Sequence, residues 1–272
     1  MTTKNIFPKT PELSGVLFSF IRAVCIFFAC LFFLLPLPSI SGNAATPMQR
    51  LSAYTTYYNE EDIGRSKNIS LACKRINGVI LQAYGDFSFN QCVGKRTKEF
   101  GFEDAKIIQD GQFILGVGGG VCQVSTTLYN AVLLAGLSVT ESHPHSLFVS
   151  YVPPSRDAMV SSVSDLRFFN PKSTPIKLTA TAKDGVLTVS VFGKDDGGRY
   201  EIISNILQEL PPPEPIIKIG DEEKVLRAEK KGLKSESYLE KYQHGVLVQR
   251  KRMRKDFYAP VQGIYQTKGG GV

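Results

Sequence analysis

The 272 residues are 43% hydrophobic and carry a formal charge of +7, which fits one sizeable core plus a small second module and excludes a charge-rich disordered chain. The charge imbalance is local, since residues 221–272 hold 12 Lys/Arg against 7 Asp/Glu.

At the start of the chain, Lys4, Lys9 and Arg22 precede the apolar run AVCIFFACLFFLL (23–35), and Pro36, Pro38 and the small residues SGNAA (41–45) follow it. That order is the one of an export signal. Two outcomes fit: cleavage near Gly42-Asn43-Ala44, or retention of the run, extended back to Leu13, as a membrane anchor. Cleavage is favoured, because an arginine such as Arg22 inside a span costs about 2.5–3.5 kcal/mol. FFAC (27–30) departs from a lipobox, so Cys30 is not expected to carry lipid. Either outcome puts the body outside the cytoplasmic membrane, secreted to the cell envelope or anchored there. Export then argues against nucleic acid as the partner of QRKRMRK (249–255). Anionic wall polymers or lipid headgroups fit better, with a solvated strand face as the plain alternative.

Residues 46–65 are polar and turn-rich and read as a linker. SKNISLACKRINGVIL (66–81) sets Ile69, Ala72, Cys73, Ile76, Val79 and Ile80 at helical spacing, which predicts an amphipathic helix weakened in its last turn by Asn77-Gly78. YGDFSFNQCVGKRT (84–97) predicts a short strand around Asp86–Phe89 and a turn at Gly94, with Lys95 and Arg96 facing solvent or a substrate carboxylate. VCQVSTTLYNAVLLAG (121–136) carries Val121, Val124, Leu128, Ala131, Val132 and Ala135 on one stripe and Gly136 at a C-terminal left-handed position, so a helix starts at or beside Cys122. LSVTES (137–142) and SLFVSYV (146–152) read as strands flanking a His-Pro-His corner. IKLTATAKDGVLTVSVFG (176–193) predicts a β-hairpin turning at Asp184-Gly185. PPPEP (211–215) marks a linker, assigned to 194–220, and a second hairpin turns near His244-Gly245.

Beyond the leader lie three cysteines, Cys73, Cys92 and Cys122, so at least one thiol stays free or pairs between molecules. Cys73 and Cys92 are candidates for a bridge that would leave Cys122 as the reactive one. A thiol at a helix N-terminus sits beside unpaired N–H groups and the positive end of the macrodipole, which favour thiolate. Gly118, Gly119 and Gly120 let a substrate backbone approach and let N–H groups converge on an oxyanion. His145, with His143 as second candidate, follows at the distance of a helix out and a strand back, giving a general base. Asp157, Asp165 or Asn170 would orient the imidazole, and Gln123 or Ser125 would support an oxyanion. The plainer reading makes the glycines a tight turn and Cys122 a packed core residue. A zinc site of Cys122, His143 and His145 is a third arrangement, disfavoured by the Pro144 between the histidines.

YGDFSFNQCVGKRTKEFGFEDAKII (84–108), GGGVCQVSTTLYNAVLLAGL (118–137), HPHSLFVSYVPPSRDAMV (143–160) and DLRFFN (165–170) resemble the VanW family over about residues 66–193. The resemblance implies a bacterial envelope protein, exported or membrane-anchored, of a group named for a member in vancomycin-resistance clusters; the family name carries no mechanism. Its motif residues fall on Phe87 to Asn90, Gly118 to Gln123, Ser125 to Asn130, His145, Ser146, Arg156, Asp157, Asp165 and Asn170. The chain departs from the pattern at Tyr84-Gly85, where Pro-Gly is common, at Glu141-Ser142, where Glu-Arg is common, and at Pro154-Ser155, which replaces a glycine turn. The missing arginine puts in doubt a substrate-carboxylate contact at that corner. The tail, 228–269, resembles part of a G-five module.

The expected fold is α+β: a mostly antiparallel sheet packed against one or two helices over 66–193, and a small basic β module over 221–272. The expected function is that of a Cys-His thiol hydrolase or transpeptidase on peptidoglycan peptides, or alternatively a peptidoglycan-binding accessory protein without catalysis. Cys122, His145, His143, Asp157 and Gln123 are the candidate catalytic residues. Gly118, Gly119, Gly120, Ser125, Thr126, Arg156, Asp165, Asn170 and Asn90 are the candidate substrate contacts. No cofactor or metal is called for.

Overall fold

A computed structural model describes residues 48–109 and 112–269; the leader expected over 1–45 lies outside them. The architecture is α+β and mostly antiparallel. Its centre is a four-stranded sheet in the order β1-β9-β8-β2, formed by β1 (Gln49–Tyr57), β2 (Ile80–Leu81), β8 (Ile176–Lys183) and β9 (Val186–Gly193). The β8–β9 hairpin is the one the sequence predicts. Asp184 (φ 52°) and Gly185 (φ 71°) both take positive φ, the requirement of the two-residue turn whose twist matches the strands. Ile176, Leu178 and Ala180 on β8 and Leu187, Val189 and Val191 on β9 turn inward by the two-residue period of a pleated strand.

Residues 46–65 are not a linker, because β1 lies within them and pairs antiparallel along β9 from Gln49 to Tyr57. Polar as QRLSAYTTY is, its tyrosines and threonines suit a half-buried strand. Thr56 is buried and meets Thr127 at 2.8 Å between hydroxyl oxygens.

Two long helices cover the inner face of the sheet. The first, α1 (Ile63–Ile76), starts where the Asp62 carboxylate accepts from the Arg65 N–H and buries Ile69, Ala72, Cys73 and Ile76. It stops earlier than the apolar periodicity suggests. Asn77 is extended and Gly78 has φ 86°, so Ile80 falls in β2 instead of on the helix. A short helix, α2 (Phe89–Val93), follows β3 (Asp86–Ser88) and is capped by Ser88, whose hydroxyl accepts from the Gln91 N–H. The long helix that opens beside the thiol, α3 (Val121–Leu134), is buried along nearly its whole length and not on one stripe only. Its polar residues are tolerated because each has a partner. Ser125 donates to the Ala158 carbonyl, Thr127 to the Gln123 carbonyl, and Asn130 to the Thr126 and Arg156 carbonyls.

A small sheet in the order β3-β7-β6 adds β6 (Ser138–Glu141) and β7 (Arg167–Phe169), with Phe87 stacked on Phe168 at 4.6 Å. A separate antiparallel pair comprises β4 (Asp104–Gln109) and β5 (Gln112–Val117). SLFVSYV (146–152), expected as a strand, instead runs as bends and turns without a sheet partner, and its Leu147 and Val149 are buried by packing alone.

The stretch 194–220, expected as a linker, holds β10 (Gly198–Leu210), a 13-residue strand, and β11 (Ile216–Gly220), separated by the prolines. With β13 (Gly232–Gln243) and β14 (Val246–Tyr258), β10 forms an antiparallel sheet ordered β10-β13-β14. The predicted hairpin closes it at His244 (φ 48°) and Gly245 (φ 80°). A last sheet orders β11-β15-β12, with β12 (Lys224–Arg227) antiparallel and β11 parallel to β15 (Ile264–Lys268).

Candidate functional site

Glycines set the entrance of α3. Gly120 has φ 103°, and a Cβ at Gly119 would lie 2.6 Å from the Lys106 carbonyl oxygen, so side chains are excluded where the chain turns against β4 into the helix. Cys122 is the second residue of α3 and is half-buried. Its sulfur lies 3.4 Å from the Val160 carbonyl oxygen and 3.5 Å from the Val160 nitrogen. The Cys122 N–H has no acceptor among the described residues, whereas those of Val121 and Gln123 bond to the Gly118 and Gly120 carbonyls. An oxyanion formed on an attacked carbonyl would find that donor at the positive end of the helix.

The histidines divide sharply. His145 is buried, and its imidazole acts on the Cys122 thiol as the neighbouring charge and hydrogen-bonding group. Its Nδ1 lies 2.7 Å from Asp157 Oδ2, which also accepts the His145 backbone N–H at 2.7 Å. With Nδ1 committed to the carboxylate, Nε2 is the nitrogen left for sulfur. His143 turns instead to Glu141, at 2.9 Å, so the role of second candidate base finds no geometric support. That split also removes the zinc arrangement: among the described residues no group of three or more His, Cys, Asp or Glu side chains is placed to hold a metal ion.

Asp157 is 1% exposed and saturated with donors. Besides His145, its carboxylate accepts from the Tyr258 hydroxyl at 2.6 Å and from the Arg254 guanidinium at 2.9 Å, and Arg254 also donates to the Asp157 carbonyl at 2.6 Å. Both partners come from β14, far along the chain, and nothing in the local sequence around Asp157 signals them. Ser155 fixes the same seam by meeting Ser235 and accepting from Ser237.

These contacts set the charges. Burial opposes ionisation of Asp157, but the hydrogen bond from His145, the Arg254 charge and the Tyr258 hydroxyl outweigh it and lower its pKa to about 2. Burial likewise disfavours the imidazolium, yet Asp157 and Cys122 raise His145 to about 9. Burial pushes the Cys122 thiol up, and the hydrogen bond and charge of His145, the Val160 backbone and the Arg96 charge together bring it below the ordinary range. The pair therefore favours thiolate and imidazolium, the state in which a cysteine attacks. The other two thiols are free and differently placed. Burial raises Cys73 to about 12 and also raises Cys92, whose sulfur donates to the Arg75 carbonyl at 3.3 Å; no Cys73–Cys92 bridge is present.

Cys122 and His145 open onto a cavity of about 1680 Å³, above the usual 300–1,000 Å³ of small-molecule sites. Gly118, Gly119, Gly120, Gln123 and Asn90 line it, as does Tyr151, which the sequence did not single out. Burial raises the Tyr151 phenol and keeps it a neutral donor beside the thiol. Gln123 reaches the wall, but its amide is committed: Nε2 donates to Thr56 and to the Tyr57 carbonyl, and Oε1 accepts from Arg65. It braces β1 against α3 and has no free proton for an oxyanion.

The other predicted contacts stand behind the cavity as scaffold. Ser125 and Thr126 tie α3 to Ala158. Arg156 donates to Asn130 and lies over the Tyr54 ring. Asp165 accepts from Ser88 and from the Asn90 and Leu166 N–H groups, and Asn170 donates to the Gln82 and Thr174 carbonyls. Neither Asp165 nor Asn170 reaches His145.

A family model described as "VanW like protein" matches residues 64–192. Those residues belong to the VanW family. Within the VanW segment lie Cys122, His145 and Asp157, while Arg254 and Tyr258 lie outside it. The chain is 42% identical over 164 residues to the "Uncharacterized protein YoaR" of Bacillus subtilis (strain 168), covering 60% of this chain and 52% of that one. It is 25% identical over 149 residues to the "Vancomycin B-type resistance protein VanW" of Enterococcus faecalis (strain ATCC 700802 / V583), covering 52% of this chain and 54% of that one. The chain thus spans about half the length of the curated relatives it matches. A solved structure, "Crystal structure of HP0197-G5", aligns over 26% of this chain and 95% of its own at 17% identity, with a TM-score of 0.16, too slight a likeness to assign the tail a fold.

Proposed function

We propose that this VanW-related protein is a thiol-dependent acyl hydrolase or transferase acting on peptides of the bacterial cell envelope. The observation that carries the reading is the Cys122–His145–Asp157 relay at the mouth of a large cavity, with His145 buried between sulfur and carboxylate. Cys122 Sγ attacks an acyl carbon, and the oxyanion is met by the Cys122 N–H. His145 passes its proton to the departing amine and then takes one from the water or amine that attacks the thioester. Asp157 holds the imidazole and its charge throughout. The cavity, larger than a metabolite needs, favours a polymer segment. The leader expected over 1–45, together with the name of the Enterococcus faecalis relative as a vancomycin resistance protein, supports peptidoglycan as substrate and the envelope as location. The basic tail would hold the protein on anionic polymers.

The test is the pH profile of iodoacetamide labelling at Cys122, read by peptide mass spectrometry, beside incubation with purified peptidoglycan fragments. Labelling should persist below the range of an ordinary thiol and shift upward in His145→Ala but not in His143→Ala. New amine termini should appear with the unaltered protein and not with Cys122→Ser. A thiol that titrates like free cysteine in all three proteins, with fragments bound but uncut, leaves the accessory role instead.

A further inference from the structure

A charged side chain withdrawn from water is costly unless something of opposite sign faces it. Arg96 is such a group. Its guanidinium is largely withdrawn from solvent in the wall of the thiol cavity, and burial lowers its pKa. It donates to Asn90 Oδ1 at 2.8 Å and to the Ser161 carbonyl at 2.6 Å, both neutral acceptors. It makes no ion pair among the described residues. The negative groups that act on it are the Cys122 sulfur and Asp165, and the Asp165 oxygens are already occupied by Ser88, Asn90 and Leu166. Across the glycine turn Arg65 repeats the pattern, lining the cavity with its guanidinium on the neutral Gln123 amide. Of the acids in the wall, Asp62 caps α1 and Glu209 is paired with Lys231. Two arginines therefore face the space beside the thiol with no carboxylate of the protein committed to them.

We propose that the cavity selects anionic acyl substrates, in which a carboxylate of the substrate takes the place beside Arg96 while the scissile carbonyl lies over Cys122. This rests on the reading of Cys122 as the nucleophile and adds the chemical class of what it attacks. A planar carboxylate suits the guanidinium, which keeps N–H donors beyond the two it spends on Asn90 and Ser161. A neutral peptide would leave the cation desolvated, so rejection of neutral analogues comes from the same residue.

Two alkylating probes that differ only in charge separate substrate selection from thiol activation. In each case the thiolate forms an S–C bond to the methylene carbon and iodide leaves with the C–I electron pair, so a shift in thiol pKa changes both rates alike. The ratio of iodoacetate to iodoacetamide rate constants at Cys122, normalised to a small free thiol, should exceed unity by about tenfold at low salt and fall as salt rises. Arg96→Gln should lose most of that excess and Arg96→Lys should recover part of it. In the unaltered protein, succinate should slow iodoacetamide labelling while neutral succinamide does not. A normalised ratio near one overturns the proposal and leaves the nucleophile in place. So does an excess that persists in Arg96→Gln, which would assign the selection to the other cations of the wall, Arg65, Lys95, Lys106 or the His145 imidazolium, or equal protection by succinate and succinamide. Failure of both probes to label Cys122 removes the nucleophile and the proposal together.

Discussion

Replacing Asp157 by Asn removes one charge while keeping shape, and the structure sets how much that charge is worth. A folded-state pKa of about 2 against the ordinary 3.8 is a shift of about two units at 1.36 kcal/mol each, so the ionised carboxylate contributes roughly 2 kcal/mol to stability at neutral pH. Because the folded pKa is the lower one, the contribution is present above pH 3.8 and is lost as pH falls through 2. A protonated carboxyl is the nearest analogue of an amide. Asp157→Asn should therefore unfold in urea with about 2 kcal/mol less stability at pH 7, and the gap to the unaltered protein should narrow below pH 4. The same variant deprives the His145 imidazolium of its partner, so the labelling profile of Cys122 should move to higher pH. A gap that stays constant with pH, or a labelling profile that does not move, would refute the assignment of Asp157 as the charge behind the histidine.

Arg254→Met, which removes buried ion pairs to Asp157 and Asp256 and two hydrogen bonds to Asp157, should cost about 3–5 kcal/mol in equilibrium unfolding and raise the pH at which Cys122 labels. Gln123→Leu should lower stability by about 1–3 kcal/mol through the donors and acceptors it orphans, yet leave the labelling profile where it was. His145 runs opposite in pH to Asp157: its folded pKa, raised from 6.5 to about 9, gives stability fully present below 6.5 and lost as pH rises through 9. Urea midpoints of the unaltered protein should decline across that interval, and those of His145→Gln should not. Gly119→Ala drives a Cβ to 2.6 Å from the Lys106 carbonyl and should cost about 1–3 kcal/mol, with slower Cys122 labelling as the helix entrance shifts.

Local chemistry made much of this molecule legible. Asp184-Gly185 and His244-Gly245 demand positive φ, so both hairpins could be read from dipeptides, and three glycines before Cys122 announced a helix entrance. What failed depends on distant partners. QRLSAYTTY reads as polar until β9 offers it a ladder, and SLFVSYV has the composition of a strand but finds no partner strand. At the site, the order cysteine, histidine, aspartate pointed to three side chains that the fold brings together, while Asp165 and Asn170 looked equally eligible as orienters. Only the fold shows that one tethers α2 and the other a loop. Arg156, conspicuous in its motif, serves α3, and the arginine that does reach Asp157 sits in a basic run that reads as a solvated face.

Arg254 and Tyr258 enter the sequence 97 and 101 residues after the aspartate they clamp. The chain emerges from synthesis N-terminus first, so the segment with Cys122, His145 and Asp157 is made well before the strand that clamps it. Until β14 closes, Asp157 lacks two of its three side-chain partners and has little to hold the imidazole. β14 thus closes the clamp late, and a chain that stops short of it carries the thiol and the imidazole without the two side chains that fix the charge of Asp157.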